Sequence, residues 1–252
     1  WLPLRVVVVA GSNISQGRNR AIAEATGDVI AATDAGVVLS PTWLEEITAP
    51  FADESVQVVG GWFEPDPFTD FEVVMGATVL PSVEDIDPQT FLPSSRSIAF
   101  RKSAWAAVGG YPEWLEHSED LVFDMALRER FGTFTFAPAA VVYFRPRSNL
   151  RSFYRQYFAY ARGDGKANLW PKRHLLRYAT YLVGLPLLLR WIWREKWYGW
   201  ALLALGIGAY SLRPAERLWS NTWGWRPRAR ARAFALIPII RLVGDLAKMI
   251  GY

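Results

Sequence analysis

Two groups of carboxylates stand where a folded chain could use them in catalysis. Asp34 follows the apolar residues 28–33, and Glu119-Asp120 opens an apolar helical stretch. Ligands of open α/β sheets bind beyond the carboxyl ends of strands, so Asp34 could hold Mg²⁺ or Mn²⁺ against a diphosphate. A carboxylate in the first turn of a helix is kept ionised by the helix dipole, which suits a general base. The simpler alternatives are a turn aspartate for Asp34 and helix capping for Glu119-Asp120.

Three further groups are weaker candidates. Arg18-Asn19 follows a glycine-containing loop, where a guanidinium could meet a phosphate or a base edge, or lie on a solvated helix face. His117 precedes Glu119 by two residues and could contact a phosphate or cap the loop. Arg162 begins an Arg-Gly-Asp-Gly segment that could form an acceptor-side loop or a plain turn.

Composition excludes several kinds of site. The 252 residues contain no cysteine, which excludes disulfides, thiolate zinc sites and cysteine nucleophiles. Two histidines cannot build a multi-histidine metal centre, so any metal must sit on oxygen ligands. Hydrophobic residues make up 51% of the chain, which is enough to form a core.

The net charge of +4 conceals opposite charges on the two parts of the chain. Residues 1–144 contain 8 Lys and Arg against 20 Asp and Glu, whereas residues 145–252 contain 20 against 4. The basic part also carries long apolar runs bordered by tryptophans, a pattern that fits anionic lipid better than nucleic acid. We therefore expect an acidic soluble part, a basic membrane-associated part and no nucleic-acid partner.

The order of the predicted elements indicates an α/β sheet. Strands are predicted at residues 6–9, 28–33, 56–63, 97–101 and either 133–136 or 141–144, with helices at 18–25, 42–51, 102–108 and 119–131. Residues 71–80 fit either a helix or a strand. Strands that alternate with helices are typical of a sheet covered on both faces. Because the chain opens almost within its first predicted strand, we expect a truncated N-terminus.

The last hundred residues predict helices that meet a membrane. An amphipathic, basic and aromatic stretch at 150–163 precedes three apolar stretches, at 178–189, 197–212 and 233–243. Each is shorter than the about 20 residues of a comfortable span, so interfacial or re-entrant helices compete with true crossings. Basic residues on several sides leave a spanning and a surface-lying arrangement open. A tryptophan-rich helical core is the remaining alternative, but the four arginines of residues 226–232 favour a phospholipid surface.

Several motifs, taken in order, resemble family 2 glycosyltransferases with a GT-A fold. The motifs are Gly17-Arg18-Asn19, Thr33-Asp34-Ala35-Gly36, Pro41-Thr42-Trp43-Leu44, Gly109-Gly110-Tyr111-Pro112-Glu113 and Glu119-Asp120. The resemblance covers about residues 5–165, and residues 241–248 are similar to the tail of membrane-attached members. It implies a GT-A-like, Rossmann-like mixed sheet flanked by helices over residues 1–148. An amphipathic linker helix over 149–177 and membrane-associated helices, amphipathic or transmembrane, over 178–252 would follow.

The resemblance also implies a role for each candidate residue. Asp34 stands where the metal-binding DxD motif begins and would hold Mg²⁺ or Mn²⁺ on the donor diphosphate, although Gly36 replaces the second carboxylate. Asp120 would deprotonate the acceptor hydroxyl with the support of Glu119. The implied donor-binding residues are Arg18, Asn19, Asp34 and His117, and the implied acceptor-side residues are Gln156, Tyr160 and Arg162.

From these motifs we expect an inverting glycosyltransferase. It would move a sugar from a nucleotide-diphosphate-sugar to a lipid-linked or polysaccharide acceptor, on the cytoplasmic side of the cell membrane. Its partners would be that donor, that acceptor and membrane lipids. The main alternative is a catalytically degenerate GT-A domain that serves as a membrane scaffold in glycan assembly. A sugar-phosphate nucleotidyltransferase is a more distant alternative, because it would normally show a glycine-rich N-terminal phosphate loop and this sequence shows none. A basic membrane-binding module with an inert α/β domain is a further alternative.

Overall fold

A computed structural model describes residues 4–195 and 197–252 of the chain. The chain divides into two compact units. The first unit runs to Glu64 and includes Val83–Phe144, and the second unit consists of Pro65–Ser82 and Arg145–Tyr252. The segment 145–252 of the second unit is the basic part of the sequence. The domain boundaries expected after residues 148 and 177 stay predictions.

The first unit contains a five-stranded sheet among its described residues. The strands are β1 (Val29–Ala32), β2 (Val37–Leu39), β3 (Val58–Pro65), β4 (Ile98–Arg101) and β5 (Thr135–Phe144), in the spatial order β1-β4-β3-β5-β2. Strand β4 pairs antiparallel with β1 and β3, and β2 pairs antiparallel with β5. The expected mixed α/β architecture is confirmed, and the two alternatives for the last strand are parts of the single strand β5.

Helices account for most of the remaining described residues. They are α1 (Ile14–Glu24), α2 (Trp43–Thr48), α3 (Asp70–Val79), α4 (Lys102–Ala107), α5 (Glu119–Phe131), α6 (Leu150–Lys166), α7 (Pro171–Tyr178), α8 (Leu185–Glu195), α9 (Trp197–Asn221) and α10 (Pro227–Gly251). A π-helical segment, Ala179–Gly184, joins α7 to α8. The prediction for residues 119–131 is confirmed at both ends. The ambiguous residues 71–80 are helical, because the Thr69 hydroxyl caps α3 by accepting a hydrogen bond from the Glu72 N–H.

The strand predicted over residues 6–9 is wrong. The segment has no regular secondary structure, and Val6 and Val8 are exposed. An apolar run becomes a strand only where a neighbouring strand satisfies its backbone N–H and C=O groups, and none of the described strands pairs with it. Helix α1 begins at Ile14, earlier than predicted, because Asn13 and Gln16 form a reciprocal capping box.

Both faces of the sheet are covered by apolar side chains. Successive residues of a strand point to opposite faces, and in β4 they pack into two different clusters. Phe100 packs with Phe123 of α5, whereas its neighbour Ala99 packs with Trp43 of α2. The sheet therefore holds α2 on one face and α5, which carries Glu119-Asp120, on the other.

Gly61 of β3 occupies the tightest place in this core. Its N–H donates to the Ser97 carbonyl oxygen at 2.9 Å. The Ser97 hydroxyl donates to the Ala140 carbonyl oxygen at 2.9 Å and accepts from Trp43 Nε1, also at 2.9 Å. A Cβ atom at position 61 would lie 2.7 Å from the Ala140 carbonyl oxygen and would also meet the Ser97 side chain. Only glycine leaves room for this hydrogen-bonded junction.

The described part of the second unit is helical apart from its connections. Buried apolar residues from α3, α6, α9 and α10 form its core, among them Met75, Phe153, Leu218 and Ile237. Asp245 of α10 accepts hydrogen bonds from Arg177 Nε at 2.8 Å, from the Tyr181 hydroxyl at 2.9 Å and from the Tyr210 hydroxyl. The helices predicted over the amphipathic stretch and the three apolar stretches are confirmed as helices.

One helical run among the described residues is long and apolar enough to cross a membrane. By length and composition it is the 24-residue run Pro171–Arg194, and only 6% of its most apolar part is buried within the protein.

Replacement of Gly61 by alanine tests the packing of the core. We expect Gly61→Ala to lower the free energy of unfolding by about 1–3 kcal/mol, because the added methyl group overlaps Ser97 and the Ala140 carbonyl. Thermal unfolding followed by circular dichroism measures the change. Gly17→Ala in α1 is the matched control, since open space surrounds position 17 and alanine favours a helix. Equal melting temperatures for the two variants would contradict the close approach.

Candidate active site

Arg18 of α1 joins the two carboxylates that the sequence analysis singled out. Its Nη1 donates to Glu119 Oε1 at 2.8 Å, and its Nη2 donates to Asp34 Oδ1. The side chains of Arg18 and Glu119 are 16% and 8% exposed, so this ion pair lies largely out of water. Removing one partner of such a pair leaves the charge of the other partner uncompensated. The donor-side and base-side candidates are therefore parts of one site.

A stack of aromatic rings holds the Arg18 guanidinium in place. The guanidinium carbon lies 5.2 Å from the centre of the Tyr111 ring, which is itself stacked on Phe123 at 4.0 Å. The Tyr111 hydroxyl lies 3.1 Å from Ser95 Oγ. Because Tyr111 is buried and its hydroxyl is hydrogen-bonded, the ring is a fixed platform for the arginine.

Asn19 fixes α1 against the double-glycine turn. Its Nδ2 donates to the Tyr111 carbonyl at 2.8 Å and to Glu113 Oε1 at 3.0 Å. Its Oδ1 accepts from the Tyr111 N–H at 2.8 Å and from Trp105 Nε1 at 3.0 Å. The amide thus anchors the loop that carries Tyr111. The predicted contact of Asn19 with the donor stays a prediction.

Gly110 is required by that anchor. Its φ angle of 77° lies in the left-handed region, and a Cβ atom would lie 2.7 Å from Asn19 Oδ1 and 2.8 Å from Trp105 Nε1. The double-glycine motif therefore serves the packing of α1 in this protein.

Strained backbone and raised pKa values mark the start of α5. Ser118, directly before the helix, has a φ angle of 61°, a conformation that costs free energy in a residue other than glycine. Burial, and secondarily the charge of Asp120, raises the pKa of Glu119. Burial also raises the pKa of Asp120, although the Leu121 N–H, at 2.9 Å from Oδ1, favours its charged form. A carboxyl whose pKa is raised towards neutrality is suited to accept a proton.

Asp124, one turn further along α5, is a buried carboxyl that sequence reasoning missed. It is fully buried, and neither oxygen has a hydrogen-bond partner among the described residues. Burial and the charge of Asp120 raise the pKa of Asp124 well above its usual range. Folding therefore favours the protonated form of this carboxyl. Its spacing of four residues from Asp120 on a helix was the signal in the sequence.

Arg96 is a second functional candidate that the sequence analysis missed. Its Nε lies 3.9 Å from Asp34 Oδ2, while Arg18 holds the other oxygen of the same carboxylate. Asp34 therefore lies between two guanidinium groups. The sequence offered one indication of Arg96, because basic residues are outnumbered by acidic ones in the first part of the chain and each arginine there is therefore a candidate partner for a carboxylate.

The chemistry of Asp34 fits a cation held jointly with a substrate. Among the described residues no cluster of three Asp, Glu or His side chains could hold a metal unaided. Mg²⁺, however, is often bound by one or two carboxylates, with substrate phosphates and water as its other ligands. Asp34 is partly exposed, and its Oδ2 lies beyond hydrogen-bond distance of Arg96. Oδ2 is therefore the Asp34 oxygen without a close guanidinium, and the metal-binding role of Asp34 stays a prediction.

The other predicted site residues are His117 in the first unit and three residues of the second unit. His117 is partly exposed in the loop before α5, and its role in donor binding stays a prediction. Gln156, Tyr160 and Arg162 belong to α6 of the second unit. Gln156 accepts from Arg147 Nε at 3.2 Å and donates to the Tyr160 hydroxyl at 2.8 Å. The acceptor-side role of the three stays a prediction.

The sheet flanked by helices is a GT-A-like fold, and a solved structure shares it. The mannosyltransferase PcManGT from Pyrobaculum calidifontis, in complex with GDP-Man and Mn²⁺, matches with a TM-score of 0.57 at 16% identity, over 93% of this chain and 66% of that chain. GalNAc-T7 with UDP, GalNAc and Mn²⁺ gives a TM-score of 0.41 at 14% identity, over 61% and 34%. The first likeness establishes the fold. This chain spans less than two thirds of the length of either protein.

Comparison with family models matches the N-terminal part of the chain. Residues 2–96 match the model described as Glycosyl transferase family 2. The match covers less than half of the chain, and it shows that this segment is similar to that family. Comparison with curated proteins gives no match.

Removal of the Asp124 charge is expected to stabilise the protein, with an effect that depends on pH. The pKa of Asp124 is higher in the folded state than in the unfolded state, so folding favours its protonated form. This stabilisation is complete below the unfolded pKa and is lost as the pH rises through the folded pKa. Asp124→Asn should therefore raise the melting temperature more at about pH 8 than at about pH 5.

Differential scanning fluorimetry at both pH values measures the effect. Glu129→Gln, on an exposed position of the same helix, is the control and should give equal shifts at the two pH values. An Asp124→Asn variant that is less stable than the wild type at the higher pH would contradict this prediction. It would mean that the ionised carboxylate has a stabilising partner other than the described residues.

Proposed function

We propose that this protein is an inverting glycosyltransferase that takes its sugar from a nucleotide-diphosphate-sugar. The observation that carries the proposal is the Arg18 bridge, which places a strand-end carboxylate and the acidic start of α5 in one site. The family 2 match supports the donor class. The bound GDP-Man of the structurally similar mannosyltransferase is consistent with it.

Asp120 is the proposed general base. In a single displacement, the acceptor hydroxyl attacks the anomeric carbon as its proton passes to a carboxylate, and the bond to the diphosphate oxygen breaks. Asp120 is the partly exposed member of the acidic pair, whereas Glu119 is buried and bonded to Arg18. Burial raises the pKa of Asp120, which makes it a stronger proton acceptor than an ordinary aspartate. Glu119 acts by keeping Arg18 and the start of α5 in place.

Asp34 marks the proposed donor side. Nucleoside diphosphate leaves with negative charge on its terminal phosphate, so positive charge must face it. Asp34 would hold Mg²⁺ or Mn²⁺, which would supply such charge. The chain's own contribution is to hold Asp34 between Arg18 and Arg96.

A lipid-linked or polysaccharide acceptor at the cytoplasmic face of a membrane completes the proposal. The second unit exposes large apolar side chains on α7 to α9, among them Leu176, Trp193 and Trp200. Exposed apolar surface with tryptophans is typical of contact with lipid headgroups and chains. Three exposed arginines, Arg226, Arg228 and Arg232, lie at the beginning of α10 and suit anionic lipid.

A non-catalytic scaffold in glycan assembly is the second candidate. It is favoured by the glycine at position 36, which leaves a single carboxylate in the strand-end motif. It predicts binding of partners or lipids without turnover. The test of Asp120 below separates the two functions.

Substitution of Asp120 tests the proposed reaction. We expect Asp120→Asn to lower kcat by about 10²–10⁴-fold, because the amide cannot accept the acceptor's proton. The measurement is release of nucleoside diphosphate from a panel of nucleotide-sugars, in membranes that contain the protein and lipid acceptors, with Mg²⁺ or Mn²⁺.

Glu129→Gln is the matched control for this experiment, because it removes an exposed carboxylate from the same helix. It should retain wild-type turnover. Absence of release from every donor, with the wild-type protein folded, would favour the scaffold. Equal turnover by Asp120→Asn and the wild type would remove Asp120 as the base.

A charge variant tests membrane binding. Arg230 stacks on Trp219 at 3.7 Å and is partly buried, so it is left intact. Replacing its exposed neighbours Arg226, Arg228 and Arg232 by glutamine should weaken binding to anionic vesicles roughly hundredfold, at about 1 kcal/mol for each arginine. Vesicle sedimentation measures the affinity, and vesicles of neutral lipid are the control. Unchanged binding to anionic vesicles would refute the electrostatic contribution.

A further inference from the structure

We propose that Arg96 binds the diphosphate of the donor and stabilises it as the leaving group, whereas Arg18 is a positioning residue. This inference rests on the proposed function. It assigns different tasks to the two guanidinium groups on either side of Asp34. The sequence analysis gave the donor-binding task to Arg18 and none to Arg96.

Arg18 is already occupied by its carboxylates. Both of its terminal nitrogens donate to acidic side chains, Nη1 to Glu119 and Nη2 to Asp34. Its remaining exposed fraction is small, and its flat face lies on Tyr111. A diphosphate at Arg18 would compete with both carboxylates for the same positive charge. Weakening the pair with Glu119 would be costly, because that carboxylate is largely out of water.

Arg96 is held firmly but without a close carboxylate. Its Nη1 donates to Ser94 Oγ at 3.1 Å, and its guanidinium carbon lies 4.8 Å from the centre of the Phe144 ring and 5.8 Å from that of Phe63. Its nearest described acidic group is Asp34, at 3.9 Å, which is too far for a hydrogen bond. The aromatic rings fix the plane of the guanidinium while its charge remains available to an anion.

The acidic side chains of the site create the need for a positively charged group that can face the donor diphosphate. Glu119 and Asp120 together face Arg18, and Asp34 is shared between Arg18 and Arg96. A diphosphate that enters this acidic surrounding would be repelled unless a cation and a fixed positive side chain both face it. Arg96 is the basic side chain next to Asp34 whose charge is not neutralised by a hydrogen-bonded carboxylate. Its fork of N–H groups also matches phosphate oxygens.

The test is the affinity of the full-length protein for GDP and UDP in the presence of Mn²⁺, measured by isothermal titration calorimetry. For whichever diphosphate the wild type binds, Arg96→Gln should weaken binding about tenfold to hundredfold, the loss expected for a charge-assisted hydrogen bond. Arg96→Lys keeps the charge but loses the planar fork, so its loss should be smaller. Ser94→Ala removes the hydroxyl that accepts from Arg96 Nη1 and from the Arg96 backbone N–H, and it should also cause a partial loss.

Arg20→Gln is the matched control, because Arg20 is an exposed arginine paired with Glu24 on α1. It should leave the affinity unchanged. The melting temperature of Arg96→Gln shows whether the variant is folded. A folded variant that binds the diphosphate with wild-type affinity would overturn the inference while leaving the proposed function intact. A folded wild-type protein that binds neither diphosphate would count against the proposed function itself.

Discussion

The ion pair of Arg18 with Glu119 and Asp34 is the interaction on which the site depends. It spans 101 residues of sequence between Arg18 and Glu119 and connects α1, the end of β1 and the start of α5. Arg18 and Glu119 are largely withdrawn from water, so either charge is costly without the other. The neighbouring features serve this bridge: Tyr111 supports the guanidinium, and Asn19 holds the loop that carries Tyr111.

The bridge also explains why the acidic residues differ in character. Glu119 is buried and paired with Arg18, whereas Asp120 is partly exposed beside it. Asp124 lies fully buried one turn away, without a hydrogen-bond partner among the described residues. Burial and the charge of Asp120 raise its pKa, so folding favours its protonated form, which adds no negative charge beside the pair at the helix start. Three carboxyls on one helix thus have three different electrostatic states, set by burial and by Arg18.

Local sequence patterns predicted most helices and strands and the candidate carboxylates. The pairing of strands and the partners of the site arginines depend on contacts between residues distant in sequence. The residues 119–131 could be recognised as a helix because their apolar spacing and acidic first turn are local features. The apolar residues 6–9 form no strand, since a strand depends on a partner that no local pattern reveals. The task of Arg18 depends on a residue 101 positions away, and Arg96 belongs to no recognisable motif. The acceptor-side prediction for Gln156, Tyr160 and Arg162 remains open to experiment.

The pH dependence of kcat/KM, compared between the wild type and Arg18→Gln, tests the central claim most directly. The positive charge of Arg18 lowers the pKa of both Glu119 and Asp120, against the effect of their burial. The account predicts that activity falls as the pH decreases through the raised pKa of the base, and that this acidic limb moves to higher pH in Arg18→Gln. An acidic limb at the same pH in both proteins, with both folded, would contradict the claim that Arg18 couples the two sides of the site.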